Sequence, residues 1–92
     1  MKIWIDADAA PNDVKTIVAK AALRLEVETA LVANQRLQTP ANNPFVSSVR
    51  VEGGPDVADD HIAEHAEPGD LAITADIPLA ARLVEKDVST ID

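Results

Sequence analysis

The chain has 92 residues, no cysteine and a formal net charge of −8, so a disulfide framework and a thiolate metal site are both excluded. A chain of this length is predicted to form one small domain over residues 1–92. Hydrophobic residues make up 47% of it and are almost all aliphatic, so it has no aromatic platform on which bases could stack. The acidic surface disfavours broad binding to a phosphate backbone, although acids that hold divalent cations reverse the local charge. No signal peptide or membrane span is recognisable, so we expect a cytoplasmic protein with no membrane partner.

The first half of the chain predicts two strands separated by a helix. Residues 2–5 form a β-type run that stops at Asp6, and apolar spacing over 11–25 predicts a helix with Pro11 at its first position. Residues 28–33 are largely apolar, which is typical of a strand buried on both faces, and the polar stretch 34–44 predicts a loop. The buried face of the helix is predicted to hold Val14, Ile17, Val18, Ala21, Ala22 and Leu25.

The second half continues the alternation. A short strand over 48–51 is ended by Gly53, Gly54 and Pro55, and a helix follows over 56–66. A strand over 71–74, a helix over 78–86 and a last strand over 88–91 complete the chain. The pattern predicts an α/β fold with three α/β/α layers around a mostly parallel, Rossmann-like sheet of four to five strands. The inward residues of the last two helices are predicted to be Val57, Ile62, Ala66, Leu79, Leu83 and Val84.

Two acids directly follow predicted strands. Asp6 ends the first strand, and Asp76 follows the strand over 71–74 and precedes Pro78 at a helix start. Because parallel strands end at the same sheet edge, we expect the two carboxylates to converge there and to repel each other unless a cation such as Mg²⁺ or Mn²⁺ lies between them. Asp76 is equally well placed to cap the following helix, whereas Asp6 has no Lys or Arg near it in sequence.

Other polar residues near this edge have a structural and a functional interpretation. Asp8 either supports the turn after the first strand or joins the site. The acids of the 56–60 segment either complement a helix dipole or bind metal, and Asn34 either orients a water or substrate or merely starts a loop. His61 and His65 have a spacing that metal ligands use, but solvent-facing histidines are the simpler interpretation.

The motifs MKIWIDADAAP, LVANQ, GGPDVADDHI and PGDLAITADIPLAARLVEK together resemble the bacterial YaiI/YqxD family of uncharacterised proteins over nearly the whole chain. The resemblance implies a fold similar to PIN-type nuclease domains, in which clustered acids bind Mg²⁺ or Mn²⁺ and RNA phosphodiesters are hydrolysed. Carried over by position, it implies Asp6 and Asp76 as catalytic residues, Asn34 as a substrate-binding residue and a metal-ligand set of Asp6, Asp8, Asp56, Asp59 and Asp76.

The sequence departs from the family in two places. Ala10 stands where the family usually has Cys, so any role of that thiol is lost. Family members also run on beyond the position of Asp92 by roughly another third, and we expect a chain without that segment to expose apolar surface that favours a homo-oligomer.

Two functions of different classes are compatible with these residues. The first is a metal-dependent phosphodiesterase or ribonuclease that acts on single-stranded RNA or another phosphodiester. The alternative is a non-catalytic binding or interaction domain that retains a degenerate nuclease-like fold. A haloacid-type phosphatase is disfavoured. Such an enzyme needs a lysine late in the chain, and Lys86 is badly placed for that role at the end of a helix.

Overall fold

A computed structural model describes residues 1–8, 10–35, 37–39, 42–53 and 56–91 of the chain. Strands and helices alternate within these ranges, as the sequence pattern predicts. Gly54 and Pro55, two of the predicted strand breakers, lie outside the described residues. The elements are β1 (Ile3–Asp6), α1 (Asn12–Leu25), β2 (Thr29–Ala33), β3 (Val46–Arg50), α2 (Asp56–His65), β4 (Leu71–Ile73), α3 (Ile77–Glu85) and β5 (Ser89–Ile91).

The five strands form one sheet in the order β3-β2-β1-β4-β5, and every pair is parallel. β1 is central, with Ile5 opposite Leu31 of β2 and Ile73 of β4. The chain moves from β1 towards β3 first and then crosses to β4 and β5. The strand order therefore switches between β1 and β4, where open α/β sheets form a crevice beyond the carboxyl ends of the strands.

Helices cover both faces of the sheet, which confirms the predicted three-layer α/β fold. Alternation along β1 assigns its side chains: Ile3 and Ile5 join the core beneath α1, whereas Trp4 joins the core beneath α2 and α3. Ala22 is the fully buried residue of α1, and Ile62, Leu79 and Leu83 are the buried anchors of the other helical layer.

Three residues of the predicted buried faces are exposed instead. Ile17 and Leu25 of α1 are 66% and 63% exposed, and Val84 of α3 is 60% exposed. The predicted apolar arc of each helix is wider than the part that meets the sheet, because a helix contacts a layer along a narrow stripe. Periodicity therefore identified the helices correctly but assigned these three side chains to the wrong environment.

Asp70 stabilises the amino-terminal edge of the sheet through hydrogen bonds. Its carboxylate accepts hydrogen bonds from the backbone N–H groups of Lys2 and Glu67, at 2.9 Å each, and from Trp4 Nε1 at 3.1 Å. Burial alone would raise the pKa of Asp70, but these hydrogen bonds outweigh it and hold the pKa below its usual value. The carboxylate thus connects the starts of β1 and β4 with the turn that precedes β4.

Candidate functional site

Asp6 lies at the switch in strand order, at the carboxyl end of β1. It is 5% exposed, and strand alternation directs its side chain to the same face as Trp4, beneath α2 and α3. Thr74 follows β4, the strand beside β1, and is 3% exposed. The crevice between the two strands is therefore lined by a buried carboxylate and a buried hydroxyl.

A chain of hydrogen bonds joins the residues that follow β1 and β4. Thr74 Oγ1 donates to Asp6 Oδ2 at 3.1 Å, and the backbone N–H of Asp76 donates to Thr74 Oγ1 at 3.0 Å. Burial raises the pKa of Asp6; the hydrogen bonds from Thr74 and Asp59 oppose this rise, and the charges of Asp8 and Asp76 add to it. Thr74 thus fixes the Asp6 carboxylate while it also orders the turn that carries Asp76.

Asp59 of α2 completes a group of three aspartates. Burial, hydrogen bonding with Asp76 and Asp6, and repulsion by both of their charges raise the pKa of Asp59 to about 7. Near neutral pH the Asp59 carboxyl is thus part-protonated and donates a hydrogen bond within the group. A shared proton relieves the repulsion that three converging carboxylates would otherwise create.

Asp76 serves as helix cap and as member of this group at once. It is the N-cap of α3, and its Oδ1 accepts from the backbone N–H of Leu79 at 2.8 Å. The same side chain hydrogen bonds with Asp59. The two interpretations of Asp76 that the sequence left open are therefore compatible.

The dual position of Asp76 predicts that two substitutions differ in stability. We expect Asp76→Ala to lower the free energy of unfolding by about 1 kcal/mol in metal-free buffer, because the cap of α3 is lost. Asp76→Asn retains a capping oxygen and removes a charge beside Asp59, so its stability should equal or exceed that of the wild type. Urea denaturation in EDTA measures both. Equal stability of the two variants would show that the cap contributes nothing.

Asp8 and Asn34 meet at the same edge but differ in their environments. Asp8 is exposed, and its Oδ2 accepts from the backbone N–H of Asn34 at 2.8 Å, which ties the turn after β1 to the end of β2. The Asn34 side-chain oxygen Oδ1 is buried without a hydrogen-bond partner. A buried amide oxygen without a partner costs stability, which the loop-start interpretation of Asn34 does not explain.

Asp56 does not belong to the group formed by Asp6, Asp59 and Asp76. It is exposed at the first residue of α2, whereas Asp59 is one turn further along the helix and faces Asp6 and Asp76. In the part of the chain that the structure describes, no three His, Asp or Glu side chains are grouped so as to hold a metal ion. The raised pKa of Asp59 indicates instead a proton shared with Asp6 and Asp76.

A small cavity of about 260 Å³ opens next to this cluster. Thr74 and Asp76 line it, together with Ala80 of α3 and Thr90 of β5. Asp76 is thus the aspartate of the cluster that lines this cavity, on the side of β4 and β5. A larger cavity lies on the opposite face of the sheet.

The two histidines of α2 stack on each other beside Trp4; His65 is exposed, as the sequence predicted, whereas His61 is half-buried. The rings of His61 and His65 stack with centroids 4.1 Å apart, and His61 lies 6.1 Å from the Trp4 ring. His65 Nδ1 lies 2.8 Å from the backbone oxygen of His61. Burial and the adjacent His65 lower the pKa of His61, which favours the neutral form of the His61 ring.

Thr74 is the site residue that the sequence analysis did not single out. Its signal was present, because a hydroxyl directly after a buried strand and two residues before an acid must find a hydrogen-bond partner at the sheet edge. The partner, Asp6, is 68 positions away in the sequence, and only the neighbouring positions of β1 and β4 bring the two together.

Comparison with known proteins finds relatives that match over the length of the chain. A UPF0178 protein of a Geobacter species is 61% identical over all 92 residues, and one of Myxococcus xanthus is 55% identical over the same length. A Shewanella relative, also a UPF0178 protein, is 55% identical over 85 residues, or 92% of this chain and 56% of its own. The chain spans 59% and 60% of the length of the first two. No solved structure matches it.

The model of one protein family covers nearly the whole chain. Its description is "Uncharacterized BCR, YaiI/YqxD family", and it matches residues 4–92, which include both strand-ending acids. No helix among the described ranges is long and apolar enough to cross a membrane. On this match and on the relatives' identity, the chain belongs to the uncharacterised bacterial YaiI/YqxD family.

Proposed function

We propose that the carboxylate cluster is the catalytic site of a divalent-metal-dependent phosphodiesterase that acts on RNA. The observation that carries the proposal is the convergence of Asp6, Asp59 and Asp76 at the switch in strand order. Acidic groups brought together at such a crevice raise one another's pKa and are seldom retained for stability alone. The resemblance to PIN-type nucleases supports the reaction type by analogy.

Mg²⁺ or Mn²⁺ is the kind of ion that carboxylate and amide oxygens prefer, and its binding would require the three carboxyls to exchange their shared proton for the ion. Asp6, Asp59 and Asp76 offer carboxylate oxygens, and the uncompensated Oδ1 of Asn34 is a further hard acceptor near the same edge. An ion held there would neutralise charge on the scissile phosphate and lower the pKa of a bound water. Asp8 and Asp56 are more exposed and would act, if at all, through water or substrate.

The chain's own residues have distinct tasks in this proposal. Thr74 holds the Asp6 carboxylate in one orientation through its hydroxyl. The first-turn amide of Leu79 fixes Asp76, so this carboxylate presents one oxygen to the site while the other caps α3. Asp59 would give up its proton on binding a cation, because a cation and a shared proton relieve the same repulsion between carboxylates. Asn34, whose buried Oδ1 has no hydrogen-bond partner, would accept a hydrogen bond from a water.

The proposal concerns these 92 residues, which correspond to about three fifths of the length of the relatives. The test is cleavage of a labelled single-stranded RNA by the purified chain with millimolar Mn²⁺ or Mg²⁺. We expect cleavage that requires the ion and stops on addition of EDTA. A chain that cleaves neither RNA nor a small phosphodiester under any of these conditions would contradict the proposal and favour the non-catalytic binding domain.

A further inference from the structure

A second cavity, larger than the one beside the carboxylate cluster, lies on the opposite face of the sheet. It has a volume of about 620 Å³ and runs between α1 and the segment that joins β2 to β3. That connection contains no helix in its described residues, and its Leu37 packs, as α1 does, against the core on this face of the sheet. Leu31 and Val46 form the apolar floor, and a cavity of this size is typical of small-ligand sites.

The cavity coincides with the basic part of an acidic chain. Segments 14–25 and 29–51 contain five of the eight Lys and Arg residues and none of the sixteen Asp and Glu residues. Two of these five, Lys15 and Lys20, line the cavity from α1. The ion pairs formed by the described residues are Arg50–Glu52 and Arg82–Asp60, so neither lysine is neutralised by a carboxylate there. A locally positive groove in a chain of net charge −8 favours an anionic ligand.

The polar groups around the apolar floor suit a nucleotide. Asn12, Gln38 and Asn42 are exposed amides on the cavity wall, and each offers a donor and an acceptor, as the edge of a base requires. Lysine ammonium groups bind phosphates as point charges. Asn43 is committed to the wall itself, because its Nδ2 donates to the Ala19 backbone oxygen at 2.8 Å and its Oδ1 accepts from the Phe45 N–H.

The groove and the carboxylate cluster begin at neighbouring residues. Ile5 lines the cavity, and the next residue, Asp6, faces the cluster on the other side of the sheet. Lys15 lies on the first part of α1, close to the carboxyl edge of the sheet, and Lys20 lies about 7.5 Å further along the helix axis. A strand held in the groove would therefore reach the edge at which Asp6 is placed.

We propose that this groove binds a nucleotide of single-stranded RNA, with the base on the Leu31 and Val46 floor and the phosphates at Lys15 and Lys20. The inference rests on the proposed phosphodiesterase function and names how that site would hold its substrate. The groove supplies the electrostatic attraction that the acidic surface elsewhere lacks. The apolar floor replaces the aromatic platform that the sequence does not contain.

The test is binding of a fluorescein-labelled RNA decamer, measured by fluorescence anisotropy in EDTA so that no cleavage occurs. Lys15→Gln combined with Lys20→Gln should weaken binding about tenfold and reduce the slope of log K against log salt by about 1.4, since each phosphate contact contributes about 0.7 for a single strand. Arg24→Gln is the matched control, because Arg24 lies exposed on the same helix but does not line the cavity. Equal losses in the double variant and in the control would overturn the proposal.

A second variant tests whether RNA occupies the groove, independently of the charge of the lysines. Thr16→Trp places a large side chain over the cavity from the exposed surface of α1 without changing the charge, and we expect it to weaken RNA binding as well. Unchanged binding by Thr16→Trp would contradict the groove. Uridine monophosphate serves as a competitor. If it displaces the labelled RNA as effectively as the unlabelled decamer does, the groove is a site for free nucleotides and the proposal of an RNA strand is overturned.

Failure of the two proposals is distinguishable. A small phosphodiester substrate, bis(p-nitrophenyl) phosphate, does not need the groove, so its hydrolysis by the wild-type chain tests the phosphodiesterase on its own. If the wild type hydrolyses RNA and the double variant has an unchanged KM for it, the groove proposal fails while the phosphodiesterase stands. If RNA binds through the groove but no substrate is cleaved, the groove stands and the phosphodiesterase fails.

Discussion

Asp6→Asn is expected to lower the turnover of RNA by at least about a hundredfold, which places it among the largest single-residue effects in this protein. Asp6 lies at the centre of the cluster, where Thr74 donates to it and Asp59 hydrogen bonds with it. An amide cannot supply the anionic oxygen that a hard cation prefers. Asn has nearly the same shape as Asp and still accepts from Thr74, so the fold should survive.

The control for Asp6→Asn is Asp60→Asn. Asp60 follows Asp59 on α2, but it is exposed and pairs with Arg82 at the surface at 2.9 Å. Its neutralisation should leave turnover within about twofold of the wild type, because a surface ion pair contributes little. Rates of cleavage at saturating Mn²⁺ measure both variants. Wild-type turnover by Asp6→Asn would remove Asp6 from the catalytic site.

Asp59→Asn is expected to stabilise the metal-free protein at about pH 8 by about 1 to 2 kcal/mol and to flatten its pH dependence. The pKa of Asp59 is about 7 in the folded protein and near 3.8 in the unfolded chain. The folded state thus binds more protons between these values, and stability falls as pH rises from about 4 to about 7. Asp59 is only partly buried, so solvent screening reduces the effect below that of a fully buried group.

Urea denaturation in EDTA across this pH range tests the expectation. The free energy of unfolding of the wild type should fall towards neutral pH. In Asp59→Asn it should fall less steeply, because only the raised pKa of Asp6 then acts in this direction. Asp70 acts at more acidic pH, because its lowered pKa contributes stability that is lost below about pH 4. Parallel stability curves for wild type and Asp59→Asn would show that the three carboxyls do not share a proton.

The fold was predictable because local patterns determine its elements. Alternating short apolar runs and helical periodicity predicted every strand and helix with ends close to those observed. The third strand was predicted too late, over 48–51 instead of Val46–Arg50, because Val46 gains its burial from pairing with Thr29 of β2. Strand order and the exposure of Ile17, Leu25 and Val84 depend on how the layers pack, which periodicity does not encode.

The candidate site was predictable only in part. Asp6 and Asp76 were identified because each follows a buried strand, and the structure brings both to one crevice through Asp59. Asp56, one helical turn before Asp59, has the same local sequence context but an exposed position, and only the orientation of α2 distinguishes them. Thr74 and the groove beside α1 require contacts between distant segments, so no local pattern indicated them.

The most direct test of the central claim is a crystal structure of the protein soaked in Mn²⁺ at about pH 8, where Asp59 is deprotonated, with the ion located by its anomalous scattering. The account predicts an anomalous peak within coordination distance of Asp6, Asp59 and Asp76, and none in the same crystals of Asp6→Asn. Wild-type crystals without a peak at this position, in which the three carboxyls still share their hydrogen bonds at saturating Mn²⁺, would contradict it.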